Sequence, residues 1–522
     1  MNLVYGINPK TGETIGNGFP AADEAHIDAL VSDATAAYSV FRKTSGPERA
    51  ELLRAIATEI EALGDELITV CDAETALGPM RITSERGRTI NQLRMFADLV
   101  EEGSWVDARI DTAIPDRKPL PKVDIRRMLM PLGPVAVFGA SNFPLAFSVA
   151  GGDTASALAS GNPVIVKAHG SHPGTSALVG NAVSAAIAAC GLPKGVFAVV
   201  YGPGSVVGSA LVKHHGIRAV GFTGSRSGGR ALMDIAAQRD RPIPVYAEMG
   251  SINPVIIFPQ VITNRGQELA EGLAGSVCLG VGQFCTNPGL IFLIGSDEGH
   301  PEESRFISFL AAVMEAQGRG VMLNHSIASN YCHMIARFTS AHGVVTHTNS
   351  TASDTSDGPE GHATVTPALF SVTANVFLQS PLLSEEIFGP ATLMVRCSDA
   401  EEVSRCVAAI GGNLTATFHG EHDDLVTHAD LIEDVAQTVG RVIINGFPTG
   451  VEVCPSMTHG GPYPASASEL HTSVGTAAIL RFARPISFQN CPAALLPPEL
   501  RDENPRGILR LVNGRHTREP VN

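Results

Sequence analysis

The stretch PLGPVAVFGASNFPLAFSVAGGDTASALASGNPVIVKAHG, from Pro131 to Gly170, sets the fold. Two short apolar runs, Val135–Phe138 and Val164–Val166, flank a segment of small residues, Gly151–Ser160. The same rhythm continues at Val196–Tyr201, Ala219–Phe222 and Val255–Phe258, with Ala- and Gly-rich segments such as Thr175–Ala189 between the runs. Strand, helix, strand repeated at this spacing predicts an α/β fold, a parallel sheet covered on both faces. Ligands in such sheets sit beyond the carboxyl ends of the strands, so the loops after each run are where chemistry is expected.

Upstream of that block the chain reads as helical. Ser45-Gly-Pro47-Glu48 is a capping box, followed by Leu52, Leu53, Ile56, Ile60 and Leu63 at helical spacing. Arg81 to Val100 reads as a second amphipathic helix, and a polar, Pro-containing stretch from Asp107 to Lys122 follows it. Downstream, a second alternating block spans roughly 255 to 445 and includes a Ser- and Thr-rich, exposed loop from Thr346 to Asp357. The Pro-rich tail after about 480 reads as irregular; its apolar patches, Ala493–Leu496 and Ile508–Val512, are expected to cover a neighbouring subunit.

At 522 residues the chain exceeds one small domain, since about 150 residues is typical of one. A composition of 44% hydrophobic and 17% charged residues excludes disorder. Lys plus Arg minus Asp plus Glu is 37 − 52 = −15, which speaks against a nucleic-acid binder. The 9 cysteines are scattered and never spaced C-x-x-C, which argues against a disulfide framework or structural zinc and for a reducing compartment. With neither a signal peptide nor an apolar run of about 18 residues, a cytoplasmic, non-membrane enzyme is expected.

Several motifs carry candidate chemistry. Gly202-Pro-Gly204-Ser-Val-Val-Gly208 follows a strand but misses the G-x-G-x-x-G spacing, so a tight turn is the better reading. Gly221-Phe-Thr-Gly224-Ser225-Arg-Ser-Gly-Gly229 also joins a strand to a helix, and Ser225 suits a helix cap or a phosphate contact. Cys285, in Gly-Gln-Phe-Cys-Thr-Asn-Pro, is either a nucleophile in a Gly-flanked turn or an inert thiol. Glu248 ends a predicted strand among apolar neighbours, as a general base or a structural carboxylate. Asn142, directly after Val135–Phe138, offers an oxyanion donor or merely turn chemistry before Pro144. His419, His422 and His428 with Asp423 and Asp424 read as a solvated loop rather than a metal site; no metal is expected. No G-x-S-x-G elbow and no P-loop occur.

Asn142-Phe-Pro-Leu, Lys167 at a strand end, Gly221-Phe-Thr-Gly-Ser, Glu248-Met-Gly, Cys285 in Gly-Gln-x-Cys, and Glu385-Glu386-Ile-Phe388-Gly-Pro come one after another in that order. Together they resemble the NAD(P)-dependent aldehyde dehydrogenases across most of the chain. The resemblance implies two doubly wound parallel-sheet lobes plus a small oligomerisation arm. Residues 1–247 would bind cofactor, with an oligomerisation hairpin at about 107–130; 248–455 would be catalytic; 456–522 would return to the cofactor lobe and end as an oligomerisation tail. It further implies that Cys285 attacks an aldehyde, Asn142 holds the oxyanion and Glu248 activates the water that hydrolyses a thioester. Lys167 and Glu386 would hold cofactor riboses, Phe388 would pack near the nicotinamide, and Gly224, Ser225 and Gly229 would face the pyrophosphate. The same likeness implies a homodimer or dimer of dimers.

Two departures refine the expectation. Where NAD-preferring members carry a Glu three residues after the strand-end Lys, this chain has Gly170; with Ser171, His172 and Thr175 as donors beside it, NADP is expected ahead of NAD. Near the C-terminus, His459 stands in Pro455-Ser-Met-Thr-His-Gly-Gly. It would lower the Cys285 pKa, assist proton transfer, or order the loop. Glu74-Thr-Ala-Leu-Gly, Ala150-Gly-Gly-Asp-Thr-Ala-Ser-Ala and Asn445-Gly-Phe-Pro-Thr-Gly are similar to the branch acting on 2,5-dioxopentanoate, or 2-oxoglutarate semialdehyde. A longer-chain aldehyde, a CoA-acylating enzyme and a catalytically dead scaffold are the alternatives. Arg81, Arg86 and Arg94 are candidates for the 2-oxo acid end of that substrate only because they cluster on one helix.

Overall fold

The computed structural model describes residues 2–295, 301–349 and 363–521. Val135–Phe138 is the central strand of a five-stranded parallel sheet in the order Phe197–Val200, Val164–Lys167, Val135–Phe138, Ala219–Thr223, Val245–Glu248. All four residues of the central strand are buried, as continuous apolar runs demand when helices cover both faces. At about 1.5–3 kcal/mol per large aliphatic side chain, such strands anchor the lobe. The capping box forms as read: Ser45 and Glu48 close the start of the helix Gly46–Ala62, which packs with Pro79–Glu102 over this sheet.

A second sheet of seven strands runs Val345–Thr346, Ala368–Thr373, Ala391–Cys397, Leu290–Ile294, Pro254–Ile257, Asn413–His419, Val439–Ile444. Only the short edge strand Val345–Thr346 is antiparallel. The first sheet ends its strands at Lys167 and Glu248, whereas the second begins its strands beside the candidate residues: Cys285 precedes Leu290–Ile294 and Glu386 precedes Ala391–Cys397. The carboxyl-end expectation therefore holds for the first sheet and not for the second. Of the Thr346–Asp357 loop, only Thr346–Asn349 lies among the described residues.

The tail departs from the sequence reading. It is not irregular: Ala483–Gln489, Arg510–Val512 and Arg515–Thr517 join Arg109–Asp111 and Ile125–Pro131 in one five-stranded sheet. Leu496, Leu500 and Ile508 are buried against Val106, Ala108, Ile110 and Met128 of the same chain. Those tail residues therefore bury their apolar side chains against the chain's own arm, because strand pairing with the arm brings that partner within reach. Leu495 remains exposed. The Gly202–Gly208 motif is a turn into the short helix Ser209–Lys213, and Gly208 leaves room for Phe138. His419 is buried in its strand and the His428 ring bonds the Asp424 carbonyl, so these histidines do not converge on a common point.

Candidate active site

Cys285 sits beyond a reversal of the chain. The helix Pro259–Cys278 ends, and Gly280, Val281 and Gly282 continue with φ of 56, 59 and 66°. A Cβ on Gly282 would collide with the Gly389 carbonyl, so only glycine fits there. Val281, β-branched, holds the left-handed conformation at a cost of about 1–3 kcal/mol. Asn253 anchors the backbone beyond this reversal. Its Nδ2 donates to the carbonyls of Cys285 (2.8 Å) and Asn287 (2.9 Å), and its Oδ1 accepts from Ser251 and Thr415. Every polar valence of this buried amide is used, which gives the half-buried Cys285 a rigid base.

Glu248 ends the strand Val245–Glu248 and is buried. Its Oε1 lies 2.5 Å from His459 Nε2 as a buried ion pair, and its Oε2 accepts from the Ser473 hydroxyl. The same His459 Nε2 lies 3.4 Å from Cys285 Sγ. Burial alone would keep the imidazole neutral; the charges of Glu248 and Cys285 outweigh it and raise its pKa to about 10. The segment bearing His459 is held by its amide donating to Thr472 Oγ1 and by Ser473 N donating to the His459 carbonyl. The ligand-type atoms of the three residues lie within 4.8 Å of one another, close enough to hold a soft divalent cation. The tightly held imidazole proton opposes that, because a metal must displace it.

Buried Asn142 reaches the chain two residues before the thiol. One N–H of its Nδ2 goes to the Gln283 carbonyl at 3.1 Å, leaving the other for a ligand oxygen. Its loop is pinned by buried Glu85, which accepts from Leu145 N and Ala146 N. Around it, Phe143, Phe147, Phe284 and Val474 form an apolar wall.

The residues expected to hold a dinucleotide divide. Lys167 ends its strand, with its pKa lowered by burial, and Gly170 faces open space. Glu386 lies against Gly250, where a Cβ would collide with it, and burial raises its pKa to about 7. Phe388 is half-buried nearby in sequence, and Ser225 caps the helix Arg226–Ala237 by accepting from Gly228 N. Exposed Gly224 and Ser225 at this helix start suit a phosphate, so the set fits a dinucleotide.

Three expected contacts are corrected. Gly229 is buried against Met249 and its amide bonds the Ser225 carbonyl, so it serves helix packing. His172 is fully buried, with Nε2 on the Ala140 carbonyl at 2.8 Å, and burial lowers its pKa to about 4. It is neutral and turned inward. Thr175 is likewise buried, its hydroxyl and amide both donating to Glu74. Sequence reasoning also missed Ser473, Asn253 and Glu85, whose partners are distant in the chain.

The sequence profile of the aldehyde dehydrogenase family matches residues 4–484. The chain belongs to the aldehyde dehydrogenase family. Alpha-ketoglutaric semialdehyde dehydrogenase 2 of Azospirillum brasilense is 48% identical over 97% of this aldehyde dehydrogenase and 95% of its own length. The alpha-ketoglutaric semialdehyde dehydrogenase of Acinetobacter baylyi is 43% identical over 94% of this chain and 92% of its own. Among solved structures, 3,6-anhydro-L-galactose dehydrogenase superposes with a TM-score of 0.79 at 20% identity, covering 94% of this aldehyde dehydrogenase and 96% of that chain. Glyceraldehyde-3-phosphate dehydrogenase GapN from Methanocaldococcus jannaschii, complexed with NADP, gives 0.76 at 19% identity, covering 93% and 98%. Like other members of its family, this aldehyde dehydrogenase uses NAD(P). Among the described residues, no helix is long and apolar enough to cross a membrane.

Proposed function

We propose that this enzyme oxidises 2-oxoglutarate semialdehyde to 2-oxoglutarate, with NADP ahead of NAD as acceptor. The observation that carries the chemistry is the contact chain Cys285–His459–Glu248, 3.4 and 2.5 Å long in its two links. Identities of 48% and 43% to two alpha-ketoglutaric semialdehyde dehydrogenases, nearly end to end, support the substrate.

The imidazolium of His459, 3.4 Å from Cys285 Sγ, places a positive charge beside the attacking sulfur. The sulfur adds to the aldehyde carbon, and the resulting oxyanion takes the remaining N–H of Asn142. When bound, NAD(P) supplies the hydride acceptor that converts the thiohemiacetal to a thioester. Lys167 and Glu386 would hold its riboses, Gly224 and Ser225 would face its phosphates, and Phe388 would border the nicotinamide. Acylation removes the sulfur's negative charge, one of the two that hold the His459 proton. The Glu248 carboxylate then takes a proton from water, hydroxide adds to the thioester, and the departing sulfur again faces the imidazolium. A carboxylate retained at this position supports water, rather than CoA, as the resolving nucleophile.

Residues 1–247 serve the cofactor side and 248–455 the thiol side, and 456–522 return to the cofactor side and end as the oligomerisation tail. The exposed Ile114 and Leu120 on the arm and Leu495 on the tail support a homodimer or dimer of dimers. The deciding assay is NADPH absorbance from purified enzyme, 2-oxoglutarate semialdehyde and NADP without CoA. Absent turnover overturns the proposal; turnover only with CoA points to acyl transfer instead.

A further inference from the structure

We propose that Arg81 and Arg88 form the subsite for the substrate's carboxylate, which rests on the semialdehyde reading above. The two residues are seven apart on the helix Pro79–Glu102, hence about two turns apart on one face. The Arg81 guanidinium lies 4.3 Å from the Phe284 ring and 4.8 Å from Phe143, and its Nη2 donates to the Asn142 carbonyl at 3.1 Å. Arg88 lies 5.6 Å from Phe143 and 5.3 Å from Phe147, whose ring is in turn 6.2 Å from His459. The aromatic wall beside the thiol therefore carries guanidinium groups at its edge.

Arg88 is the unusual member. Its Nε and Nη2 are buried and have no hydrogen-bond partner among the described residues. Charged donors buried in this way are costly unless something pairs with them. Glu85 lies 3.8 Å from Arg81 Nε and already accepts the Leu145 and Ala146 amides, and Glu248, whose charge also reaches Arg88, is paired with His459. With Glu85 engaged by backbone amides and Glu248 by His459, the two unpartnered Arg88 donors are left for an incoming anion. Planar guanidinium forks match a carboxylate, and the Phe rings suit the methylenes between it and the aldehyde. The class selected is a short aldehyde with a carboxylate at its far end; in 2-oxoglutarate semialdehyde the two carbons are about 5 Å apart. The other arginines of the cluster are engaged elsewhere: Arg86 on the Gly64 carbonyl and Arg94 in a surface pair with Glu61.

The test compares kcat/KM for 2-oxoglutarate semialdehyde with that for pentanal, in wild type, R88M, R81M and the control R94M. In R88M the ratio of acidic to neutral substrate falls about 100-fold, mostly through KM for the acidic one, while R94M keeps the wild-type ratio. An unchanged ratio, or an equal loss on both substrates, overturns the subsite. Should R88M not fold, R81M is read by the same ratio. In wild type, glutarate competes with the aldehyde and its diamide does not; lack of competition by glutarate overturns the proposal as well. If wild type oxidises neutral aldehydes but not the semialdehyde, the substrate reading fails, and glutarate competition against pentanal still decides the subsite.

Discussion

His459 Nε2 stands 2.5 Å from Glu248 Oε1 in a buried contact, so the carboxylate at the base position is paired with a cation rather than free. Because the same nitrogen is 3.4 Å from Cys285 Sγ, the proposed base and the proposed nucleophile share one proton carrier. Ser473 holds the far carboxylate oxygen and fixes the orientation of the pair. In the proposed mechanism, charge that develops at the sulfur is thereby felt at Glu248, and acylation would reset the pair for hydrolysis.

His459→Asn removes the cation beside the thiol. Iodoacetamide should alkylate Cys285 at least about 10-fold more slowly at pH 7, and kcat/KM should fall by about 10²–10⁴. Unchanged alkylation would leave His459 only a loop-ordering role. A stability signature accompanies this. The folded pKa, near 10, lies above the unfolded 6.5, so the imidazolium's stabilisation is complete below pH 6.5 and lost as pH rises toward 10. The stability advantage of wild type over the variant in urea titrations should shrink across that window; an advantage constant from pH 6.5 to 10 contradicts the assigned ion pair.

Glu248→Gln keeps the shape but removes the proton acceptor. A pre-steady-state burst of NADPH should survive, followed by a steady rate lower by about 10²–10⁴. Loss of the burst itself would place Glu248 in thiol activation through His459, upstream of hydrolysis.

Asn142, Lys167 and Glu248 were legible because they lie in local motifs at or just beyond strand ends. Val135–Phe138 followed by Asn142, or the run ending at Glu248, can be read without a structure, since four buried residues in a row leave few alternatives to a central strand. What could not be read depends on contacts across the chain. Ser473 reaches Glu248 over 225 positions, and Asn253 reaches the Cys285 carbonyl over 32. His172 and Thr175 were misjudged for a physical reason: polar residues at a helix start look like ligand donors, but here Glu74 and the Ala140 carbonyl use that polarity internally. The tail is not irregular, because strand pairing with the arm orders Ala483–Gln489 and Arg510–Val512 whatever their apolar content.

Gly282→Ala tests the turn that presents the thiol. The φ of 66° and the collision with the Gly389 carbonyl both oppose a side chain, so the Cys285 loop must shift. A displacement of about 1 Å suffices to lower kcat about 100-fold. Far-ultraviolet circular dichroism should stay unchanged, and full activity would show the turn to be tolerant.

Gly170→Glu addresses cofactor choice. Gly170 is exposed, has open space where a Cβ would go and is not in the left-handed region, so the substitution should fold without strain. It places a carboxylate three residues after Lys167, where it would repel a 2′-phosphate and accept from a 2′-hydroxyl. With His172 buried and neutral, no cation from that side chain offsets the repulsion. The ratio of kcat/KM for NADP to that for NAD should fall about 100-fold, because the same charge penalises one cofactor and favours the other. Measuring both cofactors at fixed aldehyde checks it: an unchanged ratio places the 2′-phosphate away from Gly170 and removes the ground for NADP preference.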